Sequence, residues 1–403
     1  MRIFYASGNS PNAAFESNLW RSNLYLPLMD LGHDVVEFNY DLTETLQFLD
    51  PSFPQHAEFI SRNRPRVTDE LLRQVRAAHA IKPLELFFSY FYDACIAPEA
   101  IDEIRAMGIK TVNWYCNGSY QLDLVREISP HYDWCLVPEK FRLRDYVAMG
   151  ANPIYCQEAA NPSIYKPYDL PVEFDVTFVG QAYGDRPAYI AHLLEHGIDV
   201  RVWGFGWAPG EEVRTDFTSR NVARAQRAMR IGRKLFTPEG WQSIGRRLHG
   251  EAPSGDNGAG LGESESGTAG YAPLPPRILG GVLSDLELIQ LYSRSKINLG
   301  FSSCGFTHAS DERILQIRLR DFEVPMSGGF YMVEYMEELE EFFEIGKEIV
   351  CYTNRDDLAD KIKYYLKHDN EREAIRRAGR EHCLRDHTWQ KRFGKAFQEM
   401  NLN

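Results

Sequence analysis

Residues 297–334 read INLGFSSCGFTHASDERILQIRLRDFEVPMSGGFYMVE, and their pattern sets the fold class. Ile297–Phe301 is a short apolar run, long enough for a buried strand and too short for a helix. Ser302–Ser310 is small and polar. Asp311 offers a side-chain oxygen to cap a helix, and Glu312 adds negative charge to its first turn, where the helix dipole favours it. Ile314, Leu315, Phe322 and Val324 give that predicted helix its apolar contacts, and Pro325, Gly328 and Gly329 end it. A second apolar strand follows. Strand, loop, helix, glycine turn and strand make a parallel α/β unit.

The polar residues of this predicted helix bear on function. Gln316, Arg320 and Glu323 fall at i, i+4 and i+7 and share one face, with Arg318 in the same turn. Two arginines and a glutamate near a helix start can hold a diphosphate and the hydroxyls of a ribose. The guanidinium fork pairs with two phosphate oxygens at once, and a helix start adds free N–H donors. The same spacing also describes a surface helix whose arginines pair with Asp321 and Glu323.

The run Gln316-Ile-Arg318-Leu-Arg320-Asp-Phe322-Glu323-Val-Pro325, then Gly328-Gly329-Phe330 and Glu337-Glu-Leu-Glu-Glu-Phe-Phe, resembles the C-terminal half of the CgeB-like glycosyltransferases. That family shows Gln-x-Lys-x-Arg-x-Phe-Glu-x-Pro here; Arg318 stands where lysine is common and keeps the charge. The resemblance spans roughly Leu286–Phe393. It implies the α/β GT-B fold: two Rossmann-like domains facing a cleft, with a C-terminal helix crossing back to the first domain. It also implies a nucleotide-diphosphate sugar as donor.

Composition sets bounds on the rest. A chain of 403 residues with 44% hydrophobic and 25% charged side chains fits two globular domains. No run approaches the ~20 apolar residues of a membrane span, and MRIFYASGNS at the start lacks the pattern of a signal peptide. Seven scattered cysteines without a CxxC pair read as buried thiols in a reducing compartment, so a cytoplasmic location is expected. A net charge of −12 argues against general nucleic-acid binding. No metal-ligand spacing and no DxD motif at a strand end stand out, so neither a catalytic metal nor a cofactor beyond the donor is expected.

The first half begins with strand Arg2–Ala6, a Ser7–Pro11 turn, a helix to Gly32 and strand Asp34–Phe38, the opening of a Rossmann-like unit. Gly8 and Asn9 are candidates for sugar or acceptor contact, or a plain tight turn. Helix character starts at Thr68–His79. Strands follow at Leu84–Tyr90, Lys110–Trp114 and His131–Val137, with helices Pro98–Met107 and Glu139–Gly150. Tyr90 and Asn117 stand at strand ends and should face the cleft. The family carries paired aspartates where this chain has Cys116 and Asn117, which leaves the general base unassigned. Asn161-Pro162 and Lys166-Pro167 mark the crossing, giving an acceptor domain 1–167, a donor domain 168–375 and a terminal helix 376–403.

In the second half Phe174–Val179 is a strand. Gly180 lets a donor approach backbone N–H groups closely, and Arg186 starts the helix after it as a phosphate partner or as a partner of Asp185. Asp199–Trp203 is the next strand. Residues 211–277 hold a basic stretch, Arg214–Arg247, then a Gly/Ser/Glu-rich run; this insert is either a solvated helical insertion or a contact for anionic lipid or a polyanion. Arg277–Leu283 has strand character, and Ser284 caps helix Asp285–Ser295 with Glu287 at the third position. Leu283 and Ser284 are candidates for holding the nucleotide base. Helix Asp356–Lys367 follows strand Glu348–Tyr352, and Asn370–Met400 forms a long helical tail.

The reading is a metal-independent glycosyltransferase, with Arg318 and Arg320 neutralising the leaving diphosphate and Glu323 accepting ribose hydroxyls. His308, Asp311 and Glu312 are further cleft candidates, His308 as a catalytic one. The acceptor (glycan, protein, lipid or small molecule) is open. Two alternatives stand beside it: an epimerase of nucleotide sugars on the same fold, and an inactive nucleotide-sugar-binding protein.

Overall fold

The computed structural model describes residues 1–8, 19–208, 274–304 and 313–402; the 211–277 insert, Asn9, His308, Asp311 and Glu312 therefore fall largely or wholly outside the described residues. Two parallel sheets make up the chain. The first holds β1 (Arg2–Ala6), β2 (Asp34–Glu37), β3 (Leu86–Ser89), β4 (Lys110–Trp114), β5 (Trp134–Val137) and β6 (Pro153–Tyr155), in the order β2-β1-β3-β4-β5-β6. The second holds β7 (Phe174–Val179), β8 (Val200–Trp203), β9 (Ser295–Gly300), β10 (Tyr331–Glu334) and β11 (Val350–Tyr352), in the order β11-β10-β9-β7-β8. Strands covered by helices on both faces read as continuous apolar runs, and Leu86–Ser89 and Tyr331–Glu334 are buried throughout.

Several helices differ from the sequence reading. The helix expected to start at Thr68 runs from Pro54 to Ile81. Pro54 sits in the first turn, where its missing N–H costs nothing, while Pro65 lies inside the helix. Ile60, Val67, Leu71 and Val75 along it are buried, so packing of one apolar face carries the helix through the proline. Arg277–Leu283 is not a strand. A 3₁₀ turn at Pro276–Ile278 and a single bridge between Val202 and Leu279 replace it, because Pro275 and Pro276 cannot donate to a ladder.

The expected helix through Asp311–Val324 is also corrected. Residues 313–317 are extended or irregular, with an antiparallel bridge from Leu315 to Ser303, and the helix covers only Leu319–Met326 behind Arg318. Arg318 N–H donates to Asp321 Oδ2 at 2.8 Å. Gln316 therefore does not share a helical face with Arg320 and Glu323. Other boundaries hold closely: Ser284 and Glu287 form a full capping box before helix Asp285–Arg294.

The tail is two helices, Asp369–Asp386 and Trp389–Glu399, broken at His387 and Thr388. Thr388 Oγ1 caps the second, accepting from Lys391 N–H at 3.2 Å. Trp389, Phe393 and Phe397 join the hydrophobic core of the first sheet. Trp389 meets Trp114 edge-on at 5.1 Å and its Nε1–H donates to Asn23 Oδ1 at 2.9 Å. No described helix is long and apolar enough to cross a membrane.

Trp389 is fully buried, so Trp389→Ala should remove about 3–5 kcal/mol of stability, read as earlier unfolding in urea. Phe141→Ala, at a half-exposed ring, should stay within about 0.5 kcal/mol of wild type. Coincident unfolding curves for the two variants would contradict this packing role.

Candidate functional site

In an open parallel sheet, ligands bind beyond the carboxyl ends of strands where the strand order reverses. The second sheet reverses between β7 and β9. Gly180 follows β7, and Phe301–Cys304 follow β9. Gly180 N–H donates to Trp203 O at 2.8 Å and its carbonyl accepts from Trp207 Nε1 at 2.7 Å. A Cβ at Gly180 would come within 2.7 Å of the Phe178 ring and 3.4 Å of Arg186 Nη1. Gly204, at φ +122°, packs against the Gly180 carbonyl, where a Cβ would lie 2.4 Å from the oxygen. Two glycines thus bring backbone close together at the switch point.

Arg186 opens helix Arg186–Glu195 and is only 4% exposed. Its guanidinium lies 3.8 Å over the Tyr183 ring and 5.3 Å over Phe178. It donates to Gln181 O at 3.1 Å and to the Tyr183 hydroxyl at 2.6 Å. Arg320 lies over the same Phe178 ring at 5.8 Å. Arg318, at the helix start, donates through Nη2 to Ser303 O at 2.6 Å. The structure therefore brings Arg186, Arg318 and Arg320 together around the ends of β7 and β9.

No described carboxylate forms an ion pair with any of these three arginines, and the Nε atom of each is buried without a hydrogen-bond partner. Burial brings Arg186 down to about 10, with Tyr183 opposing it and Arg318 and Arg320 adding to it. Against its own burial the Tyr183 phenol is pulled below its ordinary range by all three arginines. Three cations gathered in one place, buried or half-buried and without a carboxylate at ion-pair distance among the described residues, are costly. The arrangement suits a ligand that brings several negative charges.

The acids nearby are buried too. Asp321 rises to about 6 through burial, against a hydrogen bond from Tyr331 at 2.6 Å. That contact requires Gly300, because a Cβ there would collide with the Tyr331 hydroxyl. Glu323 rises to about 7 through burial, opposed by the Tyr165 hydroxyl and Arg320, and its Oε1 has no hydrogen-bond partner. Asp285, at the start of helix Asp285–Arg294, adds repulsion there. Leu283 is half-buried and Ser284 exposed, and Ser284 closes the capping box of that helix. Gln316 is buried and accepts from Cys304 Sγ at 2.9 Å.

Across the cleft, the first sheet reverses between β1 and β3, where Gly8 and Tyr90 lie. A Cβ at Gly8 would press on Leu46 at 2.7 Å. The Tyr90 hydroxyl is 3.3 Å from that of Tyr92 and 3.5 Å from Cys116 Sγ. Asn117 donates to Tyr92 at 3.4 Å and accepts from Tyr120 at 3.3 Å. Arg318 feels Tyr120 and Glu158 of this half, so the two sheets' loop ends face each other. Tyr183, Tyr292, Glu139 and Glu158 escaped the sequence reading. Glu139 and Glu158 follow strand ends, the one signal that would have marked them.

Residues 247–398 match the model of a family described as glycosyl transferase-like. No curated protein matches the chain by sequence. Sucrose-phosphate synthase from Thermosynechococcus elongatus shares its architecture, with a TM-score of 0.56 and 12% identity over 99% of both chains. Anabaena HepE in complex with UDP and glucose gives 0.55 and 11% over 100% of this chain and 99% of its own. A glycosyltransferase from Rickettsia africae gives 0.51 and 11% over 98% and 97%. At such identities the likeness shows fold alone: the chain has the two-domain GT-B fold.

Proposed function

We propose that the protein is a glycosyltransferase of the CgeB-like group that uses a nucleotide-diphosphate sugar and needs no metal ion. One observation carries this reading: three arginines, Arg186 buried and Arg318 and Arg320 half-buried, converge at the switch point of the second sheet with no carboxylate at ion-pair distance among the described residues. Arg318 and Arg320 bind the diphosphate and stabilise the charge that grows on it as the sugar leaves. Charge stabilisation of this kind is worth about 3 kcal/mol per donor group in a water-excluded site. Arg186 holds the loop at Gly180 and adds to the field. Glu323 accepts the ribose hydroxyls, and Leu283 and Ser284 border the base. The glycosyl transferase-like match and a fold neighbour solved with UDP and glucose support the choice of donor. The acceptor lies against the first sheet near Gly8, Tyr90 and Asn117, and the protein acts in the cytoplasm.

Two measurements test the donor site. Pyrophosphate should raise the melting temperature of the wild-type protein by mass action, and Arg320→Met should lose most of that rise. Without ligand, Arg320→Met should melt close to wild type, because the half-buried guanidinium it removes has no carboxylate at ion-pair distance among the described residues. An equal pyrophosphate shift in both proteins would sink the cation site.

UDP, ADP, GDP and dTDP should be compared by calorimetry, at least one binding and Arg320→Ala weakening it 10-fold or more, about 1.4 kcal/mol per tenfold. The 2′-deoxy form of the tightest-binding ribonucleotide should bind more weakly than its parent to wild type. In Glu323→Gln the two should differ less, since the hydroxyl would have lost its acceptor. Absence of binding for all four diphosphates would overturn the reading.

A further inference from the structure

Two carboxylates of the first sheet are placed together with no ion-pair partner among the described residues, and the donor site does not use them. Val137 and Tyr155 are paired across β5 and β6, and Cys156 N–H donates to Val137 O at 3.0 Å. Gln157 clamps the strand ends beyond that pair. Its Nε2 donates to Pro138 O at 3.1 Å, and its Oε1 accepts from Glu158 N–H at 2.8 Å. Glu139, after Pro138, and Glu158, after Gln157, therefore leave neighbouring strand ends.

Glu139 is 3% exposed and Glu158 6%. Both Glu139 oxygens are buried and neither accepts a well-formed hydrogen bond. They lie beside the backbone of Gly118, where a Cβ would be 3.2 Å from Oε2. The nearby Arg142 does not pair with Glu139, because its fork is taken by Asp145 at 2.9 Å and by Ser119 O at 2.7 Å. No described cation forms an ion pair with Glu158, which faces Arg318 of the donor half. Buried carboxylates without partners are costly, and these two stand where the acceptor half meets the diphosphate-binding arginine.

We propose that Glu158, with Glu139 behind it, is the acceptor-side base of the transfer reaction. The inference rests on the donor reading above. In the step, the acceptor O–H bond breaks and its proton passes to the Glu158 carboxylate. The electron pair of that oxygen forms the new bond to the anomeric carbon. The bond from that carbon to the diphosphate breaks, and its electrons stay on the phosphate oxygen beside Arg318. Glu139 is a positioning residue: it acts through the charge and protonation of Glu158.

The surroundings support a proton-accepting role. Burial, then the charges of Glu139, Glu323 and Asp321, push Glu158 up, and Arg318 opposes them. Glu139 rises to about 7 through burial, held back by the peptide groups of Glu139, Ser119 and Gly118 and by Arg142. Cys116, Tyr115, Tyr146 and Cys304 also face this acid. Like charges that repel each other titrate as a pair, and Glu158 ionises above the ordinary carboxylate range. A base is active when ionised, so turnover should climb as pH rises above that ordinary range.

The test follows nucleotide release with water as acceptor from UDP-, ADP-, GDP- or dTDP-glucose, whichever carries the tightest-binding diphosphate. Wild type, Glu158→Gln, Glu158→Asp and Glu139→Gln are compared across pH 5–9, with diphosphate affinity measured on each. Glu158→Gln should release nucleotide about 100-fold more slowly or worse with affinity within threefold. Glu139→Gln should shift the climb to lower pH, a change that a merely structural role would not produce. Glu158→Asp should keep a climb at reduced rate, which covers a failure of Glu158→Gln to fold. A wild-type rate in Glu158→Gln, an unmoved climb in Glu139→Gln, or a wild-type protein that binds diphosphate but releases none would overturn the proposal. Failure of wild type to bind any diphosphate would overturn the donor reading, and this inference with it.

Discussion

Three guanidinium groups are held together at the reversal point of the second sheet without an opposing carboxylate within ion-pair distance among the described residues, and much of the local architecture exists to bear that cost. Aromatic faces take part of it. Arg186 rests on Tyr183 and Phe178, and Arg320 shares Phe178, a cation–π arrangement worth up to about 2 kcal/mol when desolvated. Backbone carbonyls take another part, at Gln181 and Ser303. Glycine at positions 180, 204 and 300 is then required by space, since a Cβ at each would strike Phe178, the Gly180 carbonyl and Tyr331 respectively. A stability-optimised protein would neutralise such a cluster. Its retention fits the proposed donor site, where the counter-charge arrives with the ligand.

The donor pocket is wired to the first half of the chain through one polar chain of contacts. Trp389 donates to Asn23 Oδ1, Asn23 Nδ2 donates to the Tyr165 hydroxyl at 3.4 Å, and Tyr165 lies against Glu323. A second set of contacts spans the halves at the other edge: Tyr155 donates to Glu338 Oε1 at 2.7 Å, Gln157 reaches the same oxygen at 3.3 Å, and Lys140 pairs with Glu341. Gln157 thus touches both the span between the halves and the clamp that sets Glu139 beside Glu158. Contact between the halves and placement of the acid pair share one side chain.

What the sequence disclosed follows from which signals are local. β1, β4 and β7 match their apolar runs to the residue, because a strand buried on both faces needs only a short continuous run. Arg318, Arg320 and Glu323 stood out as candidates because their chemistry is specific and a family motif carries them, and Arg186 because it opens a helix after a glycine loop. The helix from Pro54 was read fourteen residues short because residues 41–66 show no clear period, and tertiary packing carries it through Pro65. The break at His387 was invisible for a different reason: neither His387 nor Thr388 is a strong helix breaker. His387 is buried with its Nε2 bonded to Phe342 O at 2.7 Å and its ring beside Arg392, a three-dimensional reason for the turn. Glu139 and Glu158 were missed because acids are almost never buried unless paired, and pattern reading assigns them to the surface.

The two faces of the cleft make opposite electrostatic demands. The donor half gathers three arginines beside Asp321 and Glu323, the acceptor half gathers Glu139 and Glu158, and Arg318 and Glu158 are where the halves meet. At rest each side is poorly compensated, and the pair partly relieves both. In the proposed transfer, negative charge moves toward the arginines and a proton toward the acids, so each side's deficit is met as the reaction proceeds. Groups that are unsatisfied in the resting protein and satisfied in the transition state stabilise the latter selectively, which is the condition for catalysis rather than tight binding. The same physics explains why the cluster and the acid pair must stay dry: in water both fields would be screened by solvent, and the difference between the two states would vanish.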